Sequence, residues 1–517
     1  MKVFYYEYIL ICFEEKDIKV LGNFETFTSN VDNYTRQYHE INKEWISCCK
    51  IDYAQKHIYI HTGRADLIKV LKGVIGLEVE EVEQRINKKM KVRFKHVWGF
   101  RDHIQKGFVE EFLNSEYKNH YGVLPCGAGK TYGALKIAEE LGVTTLIIVD
   151  EITLLDQWKD DIINLCGYPE ESFGEIHGKK KNYEGKDLII ATKQTIASDE
   201  NIAKYLSENM SFVVIDECHT APTEIYTSVI TKLKPRYKLG LTATPRRQDG
   251  NQYMLENYIG SRHFIATQED LYAVGSTIKP NVVTYLVLGK TPIMEDHWNE
   301  RLIKKVKKPI FWRGAINQWI ARKSIHKKIA SLICAAYKKN RSIAVILKEK
   351  KIITMYYDLL IEMGVDKDEI VIMIGDTEKD YRKEIIDDMK TFKKKIILTS
   401  KLLDKAISIN RLDTVFNVYP TKDEANTEQR IGRICRTHKD KNEPLFVDFV
   451  YDHVVFYEQF CTKKFNRMNV YKKVAKTDYV NNFIKLVNPY FNSRSIEEKE
   501  IERKKLNNTS NFSILKI

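Results

Sequence analysis

Short, uninterrupted apolar runs recur through the middle of this chain, and they set its fold class. Thr145–Val149, Phe212–Ile215, Ser342–Leu347, Ile370–Ile374 and Lys395–Thr399 are too short for helices and rich in β-branched residues. Runs of this kind, without polar alternation, predict strands covered on both faces, as in a parallel sheet. Tyr132–Leu141, just before the first of them, carries a helical pattern, as a doubly wound α/β fold requires. Residues 1–98 read differently. Val3–Cys12 and Ile51–His61 predict strands from their β-branched and aromatic content, and Asp66–Gly73 and Glu78–Lys91 predict helices. That describes a small α+β unit without a catalytic pattern.

No apolar run reaches eighteen residues, so no membrane span is expected. The apolar start is broken by Tyr and Glu and reads as a strand, not a signal peptide. At 517 residues, with 43% hydrophobic content, three or four domains with real cores are expected. Nine cysteines without a C-x-x-C or a His/Cys cluster point to reduced thiols in a cytoplasmic compartment.

Charge changes the picture further. The net charge of +13 suggests a polyanionic partner. Residues 463–517 hold 13 Lys/Arg against 5 Asp/Glu, and Arg85–Lys95 is a second basic stretch. Either is a solvated helix face or frayed tail when read alone. Nucleic-acid contact is the favoured reading because both flank the segments described next.

Leu124-Pro-Cys-Gly-Ala-Gly-Lys130-Thr131 is a glycine-rich turn leading into a helix. Gly127 and Gly129 let backbone N–H groups face a phosphate chain, Lys130 suits the β- and γ-phosphates, and Thr131 offers a hydroxyl to Mg²⁺. The strict phosphate-loop pattern has Gly where this chain has Leu124. Further on, Phe212–Ile215 ends in Asp216-Glu217-Cys218-His219. Asp216 at such a strand end can hold Mg²⁺, and Glu217 can orient or deprotonate a water. By itself that pair also reads as a solvated strand end.

Two more segments follow in order: Gly240-Leu-Thr242-Ala-Thr244-Pro245 and Gln429-Arg-Ile-Gly432-Arg433-Ile-Cys-Arg436. Together the four resemble the motifs of superfamily 2 helicases and translocases, over at least residues 99–450. The resemblance implies two tandem RecA-like parallel-sheet domains with ATP between them. The first would supply Lys130, Thr131, Asp216 and Glu217. The second would supply Gln429 and the arginine-finger residues Arg433 and Arg436. His219 would bridge the acid pair to Gln429 or its motif.

Further segments resemble the same family. Phe100–Gln105 is similar to its adenine-reading segment, with an Arg-to-Gln spacing of four instead of three, and Gln105 as the adenine ligand. Leu154–Trp158, His177-Gly178 and Leu188–Thr195 are similar to its nucleic-acid motifs. They imply contacts from Gln157, Gly178, Thr192 and Gln194, joined by Thr242, Thr244 and Arg247. Asp150-Glu151 stands where the family has Pro-Thr. The Arg247-x-Asp249-Gly250 extension and the Ile407-Ser408-Ile409 variant of motif V resemble the UvsW, XPB and poxvirus-type branch. Ser408 replaces the usual Asp, which weakens any hydrolytic role there.

These expectations divide the chain into an accessory unit (1–98) that either binds duplex or is a structural cap, a first motor domain (99–265), a connector (266–320), a second motor domain (321–460) and a basic extension (461–517). The function implied is ATP- and Mg²⁺-dependent remodelling of DNA, by a monomer, in recombination, repair or replication. An RNA-directed motor is the first alternative, and a duplex translocase subunit the second. The Lys-, Asn-, Ile- and Tyr-rich composition suggests an AT-rich, viral genome, hence the host cytoplasm.

Overall fold

Alternating burial along Lys2–Tyr5 (β1) and Tyr8–Cys12 (β2) puts Val3, Tyr5, Ile9 and Ile11 on one face. The computed structural model describes residues 1–39, 42–74, 76–220, 223–243, 254–288, 308–400, 409–420, 424–451, 456, 467–474, 485, 487–492, 496–508 and 514–516. They form two units, Met1–Thr267 and Gln268–Ile517. In the first, Gln37–His39 (β3) and Glu44–Ile46 (β4) make a small hairpin. Cys49–Asp52 (β5), His57–His61 (β6) and Glu80–Glu83 (β7) complete a sheet of order β5-β6-β2-β1-β7.

The last of these strands corrects the helix expected over Glu78–Lys91. β7 runs parallel to β1, pairing Lys2 with Glu80 through to Tyr5 with Glu83. The open edge of β1 needs partners for its N–H and C=O groups, and this need outweighs helix propensity. The chain then lies against the neighbouring sheet, Ile86 bridging to Pro235 and Lys89 to Val143. The helix Phe24–Thr35 is an addition to the expected elements. Asn23 caps it through the N–H groups of Glu25 and Thr26, and Phe24, Thr28, Val31 and Thr35 are buried at helical spacing. Its Thr and Asn content hides it from propensity alone.

The N-terminal sheet is fastened to its neighbour within the unit. Lys238 is 3% exposed and its ammonium donates to Thr62 Oγ1 and, at 2.9 Å, to Tyr258 O. Burial pushes its pKa down to about 7, aided by the charge of Arg85. Asn119 Nδ2 reaches Thr62 O at 3.3 Å. A Cβ on Gly63 would stand 2.1 Å from Glu256 O, so glycine permits this approach of two backbones.

The second sheet of this unit contains Asn119–Val123 (β8), Thr145–Val149 (β9), Phe173–His177 (β10), Lys180–Asn182 (β11), Leu188–Thr192 (β12), Phe212–Ile215 (β13), Tyr237–Thr242 (β14) and Ser261–Ile265 (β15). Their order is β11-β10-β12-β9-β13-β14-β8-β15, parallel throughout except for the β10–β11 hairpin. Every residue of β9, β12 and β13 is buried, as their unbroken apolar runs predict. The carboxyl ends of β8, β14, β13, β9 and β12 therefore share one edge, where doubly wound sheets bind ligands.

The second unit is built on Asn281–Leu288 (β16), Ile343–Ile346 (β17), Ile370–Met373 (β18), Ile396–Thr399 (β19), Thr414–Asn417 (β20), Leu445–Tyr451 (β21) and Ile514–Lys516 (β22). The order is β18-β19-β17-β20-β21-β16-β22. β16 comes from the connector region, and Trp319, at the end of the helix Lys308–Ala321, is fully buried. The basic C-terminal region also contributes to the fold: Val470, Tyr471, Val487, Tyr490, Phe491 and Leu506 join the core beneath this sheet. Among the described residues, no helix is long and apolar enough to cross a membrane, and the eight described cysteines are free.

Candidate active site

The loop after β8 is fixed at its root by the N–H of Leu124, which donates to Thr242 O at 2.8 Å. Its glycines take left-handed backbone, Gly127 at φ 89° and Gly129 at φ 81°. Gly129 caps the helix Lys130–Leu141, whose N-terminus presents unpaired N–H groups and a positive dipole end. A Cβ on Gly129 would lie 2.1 Å from Gln105 Nε2, so Gln105 is packed directly on the loop. Gln105 Oε1 in turn accepts from the N–H of Arg101 at 2.9 Å, and Arg101 Nη2 donates to Gly127 O at 2.9 Å. Arg101, known from sequence only as the start of the Arg-to-Gln spacing, supports the loop directly. Lys130 Nζ donates to Leu124 O at 3.2 Å, and Thr131 is half-buried at the first turn of the helix.

The acid pair follows β13, two strands away. Asp216 is 8% exposed, and its Oδ2 accepts from the indole N–H of Trp158 at 2.8 Å. Its Oδ1 accepts from the N–H of Glu217 at 2.9 Å. Burial, and then the charge of Glu217, push the Asp216 carboxyl up to about 6, against the pull of Trp158 and Lys130. Glu217 has φ 46°, a left-handed conformation that costs a non-glycine residue about 1 kcal/mol and clusters at functional sites. Trp158 was expected beside Gln157 in a nucleic-acid motif. Its side chain orients the carboxylate instead, a role its sequence position does not advertise.

His219 joins this pair to the next motif. Its Nδ1 lies 3.3 Å from Glu217 Oε2 and 3.1 Å from Thr242 Oγ1. The approach depends on Gly240, where a Cβ would stand 2.9 Å from Cys218 Sγ and 2.8 Å from Tyr121 Cβ. The short turn Cys218–Thr220 can thus lie on β14, with Cys218 fully buried.

Asp150 explains the departure from Pro-Thr at the end of β9. It is 7% exposed, pairs with Lys193 Nζ at 2.7 Å, and accepts from Thr220 Oγ1 at 3.2 Å. Lys193 also sits 4.3 Å over the ring of Tyr226. One carboxylate therefore ties the ends of β9 and β12 to the turn carrying the acid pair. Beside it, Thr192 Oγ1 and Thr195 Oγ1 are 2.9 Å apart, and the N–H of Gly178 donates to Thr195 Oγ1 at 3.2 Å. Gln194 is exposed and Gln157 half-buried. Thr242 is fully buried, while Thr244, Arg247 and Ser408 lie outside the described residues.

In the second unit, Gln429 and Arg433 lie on the helix Glu424–Ile434, four residues apart and so on one face. Gln429 is 9% exposed and Arg433 half-buried. The opposite face carries Thr427, Ile431 and Ile434, and the flank carries Arg430, all buried. Past the helix end, Arg436 bridges to Thr277, and its carbonyl accepts from Lys441 Nζ at 2.8 Å. Its Nη1 is 3.5 Å from Asn410 Oδ1.

Two family models match the chain in order. Residues 80–247 match "Type III restriction enzyme, res subunit", and 326–438 match "Helicase conserved C-terminal domain". The chain belongs to the superfamily 2 helicases, and the relatives it resembles are of the XPB type. This superfamily 2 chain is accordingly a nucleic-acid-dependent ATPase. It is 29% identical over 354 residues to the DNA 3'-5' translocase XPB2 of Sulfurisphaera tokodaii, covering 63% of this chain and 76% of that one. It is 26% identical to the DNA 3'-5' helicase XPB of Mycobacterium tuberculosis, covering 63% of this chain and 57% of that one. The fold is similar to that of the ATP-dependent Type ISP restriction-modification enzyme LlaBIII bound to DNA. The TM-score is 0.52 at 16% identity, over 82% of this chain and 33% of that one. Helicases of this family use ATP, and typically Mg²⁺.

Proposed function

We propose that this superfamily 2 chain is a 3′–5′ DNA helicase or translocase that remodels branched or duplex DNA in recombination, repair or replication. The observation that carries the reading is the continuity Lys130–Asp216–Glu217–His219–Thr242 along one sheet edge. It links the hydrolytic carboxylate, through His219, to a motif that the family couples to nucleic acid. The names of both relatives support DNA as the track and 3′–5′ as the direction.

In this reading the N–H groups of the loop, with Gly127 and Gly129, cradle the phosphates of ATP, and Lys130 neutralises their charge. Gln105 and Arg101 hold the loop in shape beside the base. Thr131 and Asp216 supply hard oxygen donors of the kind Mg²⁺ prefers, and the ion would neutralise phosphate charge. Glu217 orients the attacking water and takes its proton. Arg433, Arg436 and Gln429 serve the γ-phosphate, where guanidinium charge matters most in the transition state. Gln157, Gly178, Thr192, Gln194, Thr244 and Arg247 form the track for the sugar-phosphate backbone, and the fully buried Thr242 serves it from behind, against His219. The net charge of +13 favours such a polyanion.

Strand displacement from a branched DNA tests the proposal. Release of the strand is expected with ATP and Mg²⁺, on a 3′ single-stranded flank and not on a 5′ one. Release from RNA–DNA hybrids with none from DNA would contradict it and favour an RNA-directed motor.

A further inference from the structure

The helix bearing Gln429 and Arg433 is held from behind by a buried polar chain that runs beyond the matched helicase regions. Arg430 Nη1 donates to Asn417 Oδ1 at 2.8 Å, and Asn417 Nδ2 donates to Asp448 Oδ1 at 2.8 Å. Asn417 and Asp448 are register partners on β20 and β21. The other oxygen of Asp448 accepts from Arg467 Nε at 2.9 Å and from the hydroxyl of Tyr471 at 2.7 Å. Arg467 Nη2 also reaches Phe449 O at 3.2 Å. The five side chains are 5% exposed or less.

At 3.6 residues per turn, Arg430 sits on the flank of the helix, roughly 100° round from Gln429 and roughly 60° from Arg433, and its guanidinium reaches the sheet at Asn417. A charged group in that position has few stable arrangements. The amide of Asn417 and the carboxylate of Asp448 behind it must also be fully satisfied, because a half-made buried network is worse than an apolar one. Rotation of the helix about its axis would pull Arg430 off Asn417. The network therefore fixes which way Gln429 and Arg433 point.

Three of its members, Asp448, Arg467 and Tyr471, lie outside the segment matched by the helicase model, which ends at residue 438. Arg467 and Tyr471 are one helical turn apart on the helix Arg467–Val474, within the basic C-terminal region. We propose that Arg467 and Tyr471 are positioning residues for ATP hydrolysis, acting through Asp448, Asn417 and Arg430 on the helix that carries Gln429 and Arg433. This rests on the assignment of that helix to the γ-phosphate. It gives part of the C-terminal region a task in turnover besides its contribution to net charge.

The test compares Tyr471→Phe with Tyr451→Phe in the full chain. Each removes one hydroxyl from a fully buried ring; that of Tyr451 donates to Val418 O at 2.6 Å, outside the network. The expected result for Tyr471→Phe is a kcat for ATP reduced about three- to tenfold at unchanged KM. Tyr451→Phe should lower the melting temperature comparably and leave kcat in place. Arg467→Lys, which keeps the charge and loses the fork, should behave like Tyr471→Phe. Equal kcat in both tyrosine variants would overturn the positioning role. Failure of the DNA reading would show separately, as wild-type turnover that DNA does not stimulate.

Discussion

Glu217→Gln is expected to lower ATP turnover by about 10² to 10⁴-fold while nucleotide binding persists. Gln has the shape of Glu and can keep the backbone at φ 46° and an oxygen toward His219 Nδ1, 3.3 Å away in the native protein. What it removes is the charge that would accept a proton from water. It also removes the second-largest cause of the raised Asp216 pKa, so the remaining carboxylate ionises more readily and nucleotide binding should not suffer. Lys130→Ala is the companion variant, and there both affinity and turnover should fall because the phosphates lose their cation. The measurement is steady-state ATP hydrolysis alongside titration with a fluorescent nucleotide. Normal turnover in Glu217→Gln would remove Glu217 from the chemistry.

Arg436→Ala should cost about 10³-fold or more in kcat, in the range measured for arginine fingers, with binding of ATP largely retained. The reason for the split is that finger charge is felt most in the transition state. The backbone here is secured independently of the side chain, by the bridge to Thr277 and by Lys441 Nζ donating to the carbonyl at 2.8 Å. Truncation at Cβ should therefore leave the fold intact. Parallel loss of nucleotide binding and of melting temperature would instead make Arg436 a structural residue.

Much of this could be read from sequence, for identifiable reasons. The buried strands β9, β13, β17, β18 and β19 announce themselves because both faces are covered and nothing polar interrupts them. The loop at Lys130 and the acids at Asp216 stand out because phosphate and metal chemistry demand particular residues at particular spacings. Elements decided by tertiary partners stay hidden. Glu80–Glu83 looks helical until the edge of β1 is there to pair with it. Phe24–Thr35 has weak helix formers and owes its state to an Asn23 cap and a buried face. The same holds within the site. Trp158 serving Asp216, Asp150 crosslinking Lys193 and Thr220, and Arg467 supporting Arg430 through Asp448 are contacts across 19 to 70 residues of sequence. No local pattern encodes them. In the basic C-terminal region the charge catches the eye, while the structural part played by Tyr471, Tyr490 and Phe491, buried in the core, does not.

The central claim is that ATP is hydrolysed at the Lys130–Asp216–Glu217 site in response to DNA. Steady-state ATP turnover of the full chain, with no nucleic acid, single-stranded DNA, duplex DNA, a four-way junction or RNA, tests it most directly. Low basal turnover, strong stimulation by single-stranded or branched DNA, and loss of that stimulation in Glu217→Gln are expected. Stimulation by RNA alone, or the same rate in every condition, would contradict it.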